Sequence, residues 1–267
     1  MNKQEILSEY KNQEDKLILA KVLDQIEFVG KRNKIENTDF LDMYQIGLVD
    51  KFLKKLQLNN YMLFGGFEES ERKIAIFYPE KFNEDMVKKN FDKIFKVVKI
   101  ELPEETQGKY SHRDYLGGVI KLGVKREKVG DIIVDEKGAD IIVLNEISEF
   151  LLQNITSLIR FSGAEIFLDT LENLREVNVK KQEYNIIVSS FRLDSVVSDL
   201  AKCSRNKAVE LIATERVFIN CQNEMKLTKQ IKIGDVVTIR GKGRFTIKEL
   251  VGNTRSGRYV LKIEKFI

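Results

Sequence analysis

The sequence predicts an α+β protein built in three parts. Apolar residues recur at helical spacing through most of the first sixty positions. Strand and helix patterns then alternate between residues 95 and 168, and two short amphipathic helices followed by short strands occupy the last third. The length of 267 residues suits two or three domains, and 43% apolar with 32% charged residues is typical of a folded globular chain. We place the domains at 1–80, 81–172 and 186–267.

The first part reads as helices that lead into a hairpin. Apolar residues from Leu17 to Val29 lie at helical spacing, and a second periodic stretch begins at Thr38 and continues to Leu56. The segments 61–64 and 73–78 are rich in β-forming residues and flank Gly65-Gly66, so we expect two strands. No group of residues in this part suggests chemistry.

The middle part predicts the element order β-α-β-β-α-β. Strands are expected at 95–102, 131–134, 140–144 and 165–168. One helix begins at Ser111, which forms a capping-box pattern with Asp114, and the other spans 147–158 with Phe150 on its apolar face. This order is the split βαβ pattern of ferredoxin-like and RNA-recognition-motif domains. The strands lack the aromatic-rich pattern that stacks bases in such motifs, and 131–134 and 140–144 are aliphatic, so we expect no base readout on this sheet. A charged linker of roughly 172–183 follows.

Composition and charge narrow the function classes. The first ten residues lack the apolar segment of a secretory signal, no apolar run approaches membrane-spanning length, and two cysteines make no disulfide framework. We therefore expect a cytoplasmic protein that makes no membrane contact. From position 186 to the end there are 16 Lys and Arg against 8 Asp and Glu, whereas the rest of the chain has 29 against 33. One domain thus concentrates the positive charge, which favours a polyanionic partner such as nucleic acid.

The terminal domain has features suited to phosphate binding. Its first helix spans 192–202, and Ser204 is a good N-cap for the second helix, whose free N–H groups attract anions. Two glycines, Gly241 and Gly243, allow close approach of a ligand to a basic loop. The positive charges at the helix ends and in the glycine loop are those of Arg192, Lys202, Arg205, Lys207, Arg240, Lys242 and Arg244.

This region resembles the S4 RNA-binding domain. The resemblance rests on Arg192-Leu193-Asp194, Ser204-Arg205, Val217 with Asn220, Gly234-Asp235 and Lys242-Gly243, in the order and spacing of that family. It implies that the helix pair and the adjoining strand contact RNA through Arg192, Lys202, Ser204, Arg205, Lys207, Asn220, Lys242 and Arg244. Arg240 is added as an RNA contact because it supplies charge in the glycine loop. Glu215 and Cys221 depart from the glycines common in the family. Both positions are expected to need a positive φ.

A second basic patch lies in the middle part, in a stretch that reads SHRDYLGG followed by KLGVKREKVGDI. Its candidate contacts are His112, Arg113, Lys121, Lys125, Arg126 and Lys128. Gly117-Gly118 inside a helix costs about 1 kcal/mol per glycine relative to alanine, which indicates close approach of another group. We weigh packing on the sheet beneath above approach of RNA.

The same stretch resembles the YlmH family of bacterial S4 proteins, whose signature is an H-R-D-Y-L-G helix followed by K-R-E-K-x-G-D-I. Together with Phe40-Leu41-Asp42, residues 65–72 and the terminal domain, the resemblance covers most of the chain. It implies a non-enzymatic role on the ribosome, bound to rRNA and tRNA of an obstructed large subunit in ribosome-associated quality control. A monomer without metal, cofactor or catalytic residue is expected.

Two other function classes stay open. Arg192-Leu193-Asp194 is similar to a pseudouridine synthase motif, and S4 domains also occur on methyltransferases, so residues 1–180 would then hold an RNA-modifying domain. No nucleotide-binding glycine motif and no convergent acid–base set is found there. A role in cell division, with RNA binding secondary, is the third reading.

Overall fold

The computed structural model describes residues 3–176 and 181–266 and divides the chain into two compact units, Met1–Val177 (unit 1) and Asn178–Ile267 (unit 2). Helices and strands are mixed in both, so the α+β class is confirmed. The division into three domains stays a prediction.

Unit 1 begins with helices that pack on a small sheet. The elements are α1 (Lys3–Ser8), α2 (Gln13–Arg32), β1 (Glu36–Asn37), α3 (Met43–Lys55), β2 (Tyr61–Phe64), β3 (Ile74–Phe77), α4 (Glu84–Lys88) and α5 (Phe91–Ile94). The antiparallel strand order is β1-β3-β2. The expected start of the second helix at Thr38 is wrong. Asp42 and Gln45 form a capping box that starts α3, and the Thr38 hydroxyl instead accepts a hydrogen bond from the Ala75 N–H of β3.

The second sheet of unit 1 has the predicted order of elements. These are β4 (Phe95–Glu101), α6 (His112–Lys121), β5 (Val129–Val134), β6 (Gly138–Leu144), α7 (Ser148–Asn154) and β7 (Glu165–Asp169). The strand order is β5-β6-β4-β7, and every neighbouring pair is antiparallel. Strand β6 therefore separates β4 from β5, and β4 separates β6 from β7, so each βαβ pair is split by an inserted strand.

The second sheet has an apolar cluster on each face. One side of the sheet packs with Tyr115 of α6 and with Phe161, whose rings stack at 5.2 Å. The other side, including Phe95 and Ile142, packs with Phe40 and residues of β3. The expected helix through 158 ends at Asn154 and continues as a short 3-10 turn, and Phe150 is 44% exposed rather than on the buried face.

Unit 2 is a six-stranded antiparallel sheet covered by two helices. Its elements are β8 (Lys181–Val188), α8 (Leu193–Leu200), α9 (Arg205–Ala213), β9 (Val217–Ile219), β10 (Gln222–Asn223), β11 (Val236–Ile239), β12 (Gly243–Asn253) and β13 (Tyr259–Phe266). The strand order is β10-β9-β11-β12-β13-β8. Apolar residues of both helices and of the facing side of the sheet form one core. The expected linker up to residue 183 is wrong at its end, because residues 181–183 already pair with the last strand, and 177–180 lie outside the described residues.

Candidate nucleic-acid interface

The N-terminal ends of α8 and α9 are joined by one buried carboxylate. Asp194 is only 3% exposed and accepts two hydrogen bonds of 3.0 Å from Arg192. It also accepts bonds of 3.1 and 2.9 Å from Nε and Nη2 of Arg205. Burial alone would raise the pKa of Asp194, but the hydrogen bonds and charges of the two guanidiniums outweigh it and lower the pKa. The carboxylate thus stays ionised and fixes both guanidiniums in one place.

Three further predicted residues lie around this ion pair. Ser204 caps α9, with its hydroxyl accepting a 3.3 Å hydrogen bond from the Lys207 N–H. Lys202 and Lys207 are exposed, and Lys202 has a left-handed backbone with φ of 49° in the loop between the helices. The cap uses one N–H group, and the others of the first turn remain at the positive end of the helix dipole. We call Arg192, Lys202, Ser204, Arg205 and Lys207 the helix-end patch.

A loop that the sequence reasoning missed borders the helix-end patch. The N–H groups of Leu193 and Asp194 donate to the carbonyls of Lys229 and Leu227, and Arg192 pairs with Gln230 in an isolated bridge. Exposed Lys226 and Lys229 therefore lie on the segment beside the patch. The recurrence of lysine at every third position in 226–232 was the signal available in the sequence.

Asn220, predicted as an RNA contact, is exposed and shapes a turn. Its Nδ2 donates to Asp235 at 2.9 Å, and its Oδ1 accepts from the Val236 N–H at 2.9 Å. The turn is left-handed at Asn220 and Cys221, with φ of 50° and 66°, and Glu215 has φ of 56°. The expected positive φ at Glu215 and Cys221 is confirmed. The side chain of Asn220 is thereby occupied in holding β9 to β11.

The basic glycine loop is separate from this carboxylate-centred ion pair. Gly241 and Gly243 connect β11 to β12 with φ of 78° and 127°. The Arg240 guanidinium lies 5.1 Å from the centre of the Phe218 ring, and Arg244 lies 4.6 Å from that of Phe266. Lys242 is exposed in the turn. A missed cation, Arg216, donates to the Arg240 carbonyl at 3.1 Å.

The predicted patch of the middle part is only partly available to a ligand. Arg126 donates to the carbonyls of Val129 and Gly130, and burial together with the nearby Arg72 lowers its pKa to about 10. Lys128 forms ion pairs with the carboxylates of Asp39 and Glu146. Both cations are therefore engaged within unit 1, Arg126 with nearby backbone carbonyls and Lys128 with carboxylates, and are less available to RNA than the sequence suggested.

The remaining residues of that patch differ in charge. His112 is exposed at the first turn of α6, yet desolvation and the neighbouring Arg126 charge lower the pKa of its imidazole. It therefore adds no positive charge at neutral pH. Arg113, Lys121 and Lys125 are exposed and keep the basic character of this side.

The two adjacent glycines of α6 have different surroundings. A Cβ on Gly118 would lie 2.9 Å from the Phe161 ring and 3.1 Å from Leu158, whereas a Cβ on Gly117 would meet nothing within 4 Å. The close approach predicted for this pair is thus confirmed for Gly118 only. It is made by the segment after α7, and the expected contact with the sheet beneath is wrong.

Comparison with known proteins agrees with the resemblance seen in the sequence. Residues 87–172, which include the whole second sheet, match the family described as "Putative RNA-binding domain in YlmH". The chain is 24% identical over 255 residues to the ribosome-associated protein quality control protein P2 of Bacillus subtilis (strain 168), covering 94% of this chain and 95% of that protein. The resemblance to the YlmH family is confirmed.

A similar solved structure was also found, the cell division protein ylmH from Streptococcus pneumoniae. It is 20% identical, covers 62% of this chain and 98% of its own, and has a TM-score of 0.49. Within 3–176 and 181–266, no helix combines the length and apolarity needed to cross a bilayer.

Proposed function

We propose that this protein is a non-enzymatic factor that binds structured RNA through an S4-type domain at 186–267. The observation that carries the proposal is the helix-end patch. There a buried carboxylate fixes Arg192 and Arg205 beside the capped N-terminus of α9, and Lys202 and Lys207 stand exposed around it. Guanidiniums held in position and free helix N–H groups are suited to binding phosphate oxygens. Such contacts recognise the shape of the RNA backbone rather than its sequence.

The partner is proposed from the relatives. The similar protein from Bacillus subtilis is named as ribosome-associated and as a quality control protein. We therefore infer that the RNA is rRNA and tRNA on an obstructed large ribosomal subunit, reached in the cytoplasm by a monomer. The exposed cations Arg113, Lys121 and Lys125 on unit 1 form a second contact, weaker than the sequence suggested because Arg126 and Lys128 are engaged internally.

Removing two charges from the patch tests this function. Reversing the charge of Arg205 is unsuitable, because it would put a second carboxylate beside Asp194. Lys202→Gln with Lys207→Gln instead removes two exposed charges, of which only Lys207 has a visible partner, the surface carboxylate of Glu210 at 2.7 Å. The matched control is Lys51→Gln with Lys89→Gln, which removes two exposed charges from unit 1.

The readout is affinity for a structured rRNA fragment as a function of salt. Loss of two phosphate contacts should reduce the slope of log K against log salt by about 1.4–1.8. It should also weaken binding by about 1–3 kcal/mol at low salt. The control should bind like wild type. Equal affinity and equal slope for both variants would remove the helix-end patch from the RNA interface.

A further inference from the structure

The face of the unit 2 sheet that points away from α8 and α9 carries aromatic and cationic side chains. Side chains alternate along a strand, so Phe245 and Ile247 of β12 enter the core and Arg244 lies on the opposite face. The same alternation places Phe218 of β9 opposite its neighbours Val217 and Ile219, which belong to the core. An aromatic ring and a cation thus share the outer face.

The strand register aligns these residues in one row. Phe218 pairs with Thr238, and Thr238 pairs with Arg244. On the other side of Arg244, strand β13 runs antiparallel to β12 and Lys265 pairs with Phe245, so the next residue, Phe266, lies directly opposite Arg244. Phe266 in turn pairs with Lys181 of β8. The row therefore crosses the sheet from β9 to β8 and contains two aromatic rings.

Each ring of this row is covered by a guanidinium. Arg240, two positions beyond Thr238 along the chain, lies 5.1 Å from the centre of the Phe218 ring. Arg244 lies 4.6 Å from that of Phe266, and Lys181 approaches the same ring at 5.1 Å. The buried Nε of Arg244 has no hydrogen-bond partner among the described residues. Arg240 is exposed and Arg244 half-buried, so both side chains contact an aromatic ring and keep part of their surface accessible to a ligand.

The chemistry of the row favours unpaired bases over other occupants. A guanidinium plane stacks on nucleobases, and an arginine already held against an aromatic ring needs little reordering to do so. Two carboxylates lie beside the row, Glu264 and the directly opposite Glu183. Glu264 pairs with Lys181 at 3.5 Å and with Lys248 at 3.7 Å, and Glu183 pairs with Lys262 at 3.0 Å, so neither repels a polyanion strongly.

We propose that unpaired RNA bases stack on the guanidiniums of Arg240 and Arg244, on the sheet face opposite the helices. This inference rests on the proposed RNA binding of unit 2 and adds a second contact of a different kind. The helix-end patch holds phosphates of folded RNA, and the outer row holds an adjoining single-stranded segment.

A fluorescent base tests the stacking. The full chain is titrated into a short single-stranded RNA containing 2-aminopurine, whose emission falls when the base stacks. The test variant is Arg240→Lys with Arg244→Lys, which keeps both charges and a cation over each ring but removes the planar groups. The control variant is Lys51→Gln with Lys89→Gln, which removes two exposed charges from unit 1, and thermal unfolding checks that both variants are folded.

Wild type and the control should quench the emission. The arginine-to-lysine variant should lose most of the quenching and at least about fivefold in affinity for the single strand, with its salt slope unchanged. Equal quenching by wild type and this variant would overturn the stacking proposal. So would wild type that binds a structured fragment without quenching the single strand, and this outcome would leave the proposed function standing. Failure to bind either RNA would refute both.

Discussion

The glycine pair of α6 offers a prediction in which two neighbouring, chemically identical substitutions have opposite effects. Gly117→Ala and Gly118→Ala both replace a glycine inside the same helix, so both gain about 1 kcal/mol from helix propensity. The surroundings then separate them. A methyl group at 117 enters open space, whereas one at 118 approaches Phe161 at 2.9 Å.

The magnitude at 118 follows from how firmly Phe161 is held. Its ring stacks on Tyr115 at 5.2 Å and meets the edge of Tyr110 at 5.6 Å, and Phe161 is fully buried. The ring therefore cannot move away cheaply, and overpacking of this kind costs about 1–3 kcal/mol. We expect Gly118→Ala to destabilise unit 1 by up to about 2 kcal/mol after the propensity gain, and Gly117→Ala to stabilise it by about 0.5–1 kcal/mol.

Urea unfolding followed by far-UV circular dichroism measures the difference, with the midpoint of each variant compared with that of wild type. Amide hydrogen exchange in α6 assigns the change to unit 1. Stabilisation of similar size by both substitutions would refute the packing of Gly118 against Phe161. Destabilisation by Gly117→Ala would contradict the open surroundings of that position.

Three further predictions concern strain and charge. Glu215→Gly should stabilise unit 2 by about 0.5–1 kcal/mol in urea unfolding, because φ of 56° favours glycine; a loss of stability would contradict this. Arg175→Met should cost about 3 kcal/mol, because the fully buried Asp140 loses its ion pair with the guanidinium and keeps the backbone N–H of residue 175 at 2.8 Å and the Lys99 ammonium at 3.2 Å; a wild-type midpoint would argue against the ion pair between Arg175 and Asp140. The lowered pKa of Asp194 contributes stability at pH above about 4, and this stability is lost as pH falls through the folded-state pKa. Asp194→Asn should therefore make the free energy of unfolding of unit 2 depend less on pH in the acid range. An unchanged pH dependence would contradict this prediction.

Local patterns in the sequence were enough for most elements. Helical periodicity, the Ser111 cap and the turn glycines are set by neighbours along the chain, and the corresponding helices and strands were found near their predicted positions. Strand β8 was missed because its partner, β13, lies about eighty residues away and 181–183 carry no apolar alternation. Charged composition alone could not distinguish a linker from an edge strand.

The candidate site was predicted less well than the fold because a cation's partners are decided in three dimensions. Arg126 and Lys128 look like outward charges in the sequence, but Arg126 folds back onto the nearby carbonyl of Val129, and the tertiary structure brings Lys128 to Asp39. The hydrogen bond from Arg205 to Asp194 across the helix pair could not be predicted from spacing along the chain. The outer row of unit 2 depends on the register of four strand pairs, which no local pattern specifies.

The most direct test of the central claim is gradient co-sedimentation of the full chain with ribosomal subunits at low and high salt, with tRNA detected in the bound fraction. Wild type should migrate with the large subunit together with tRNA at low salt and be released by high salt. The variant Lys202→Gln with Lys207→Gln should be released at lower salt than the Lys51→Gln, Lys89→Gln control. Wild-type protein that stays at the top of the gradient at low salt would contradict the account.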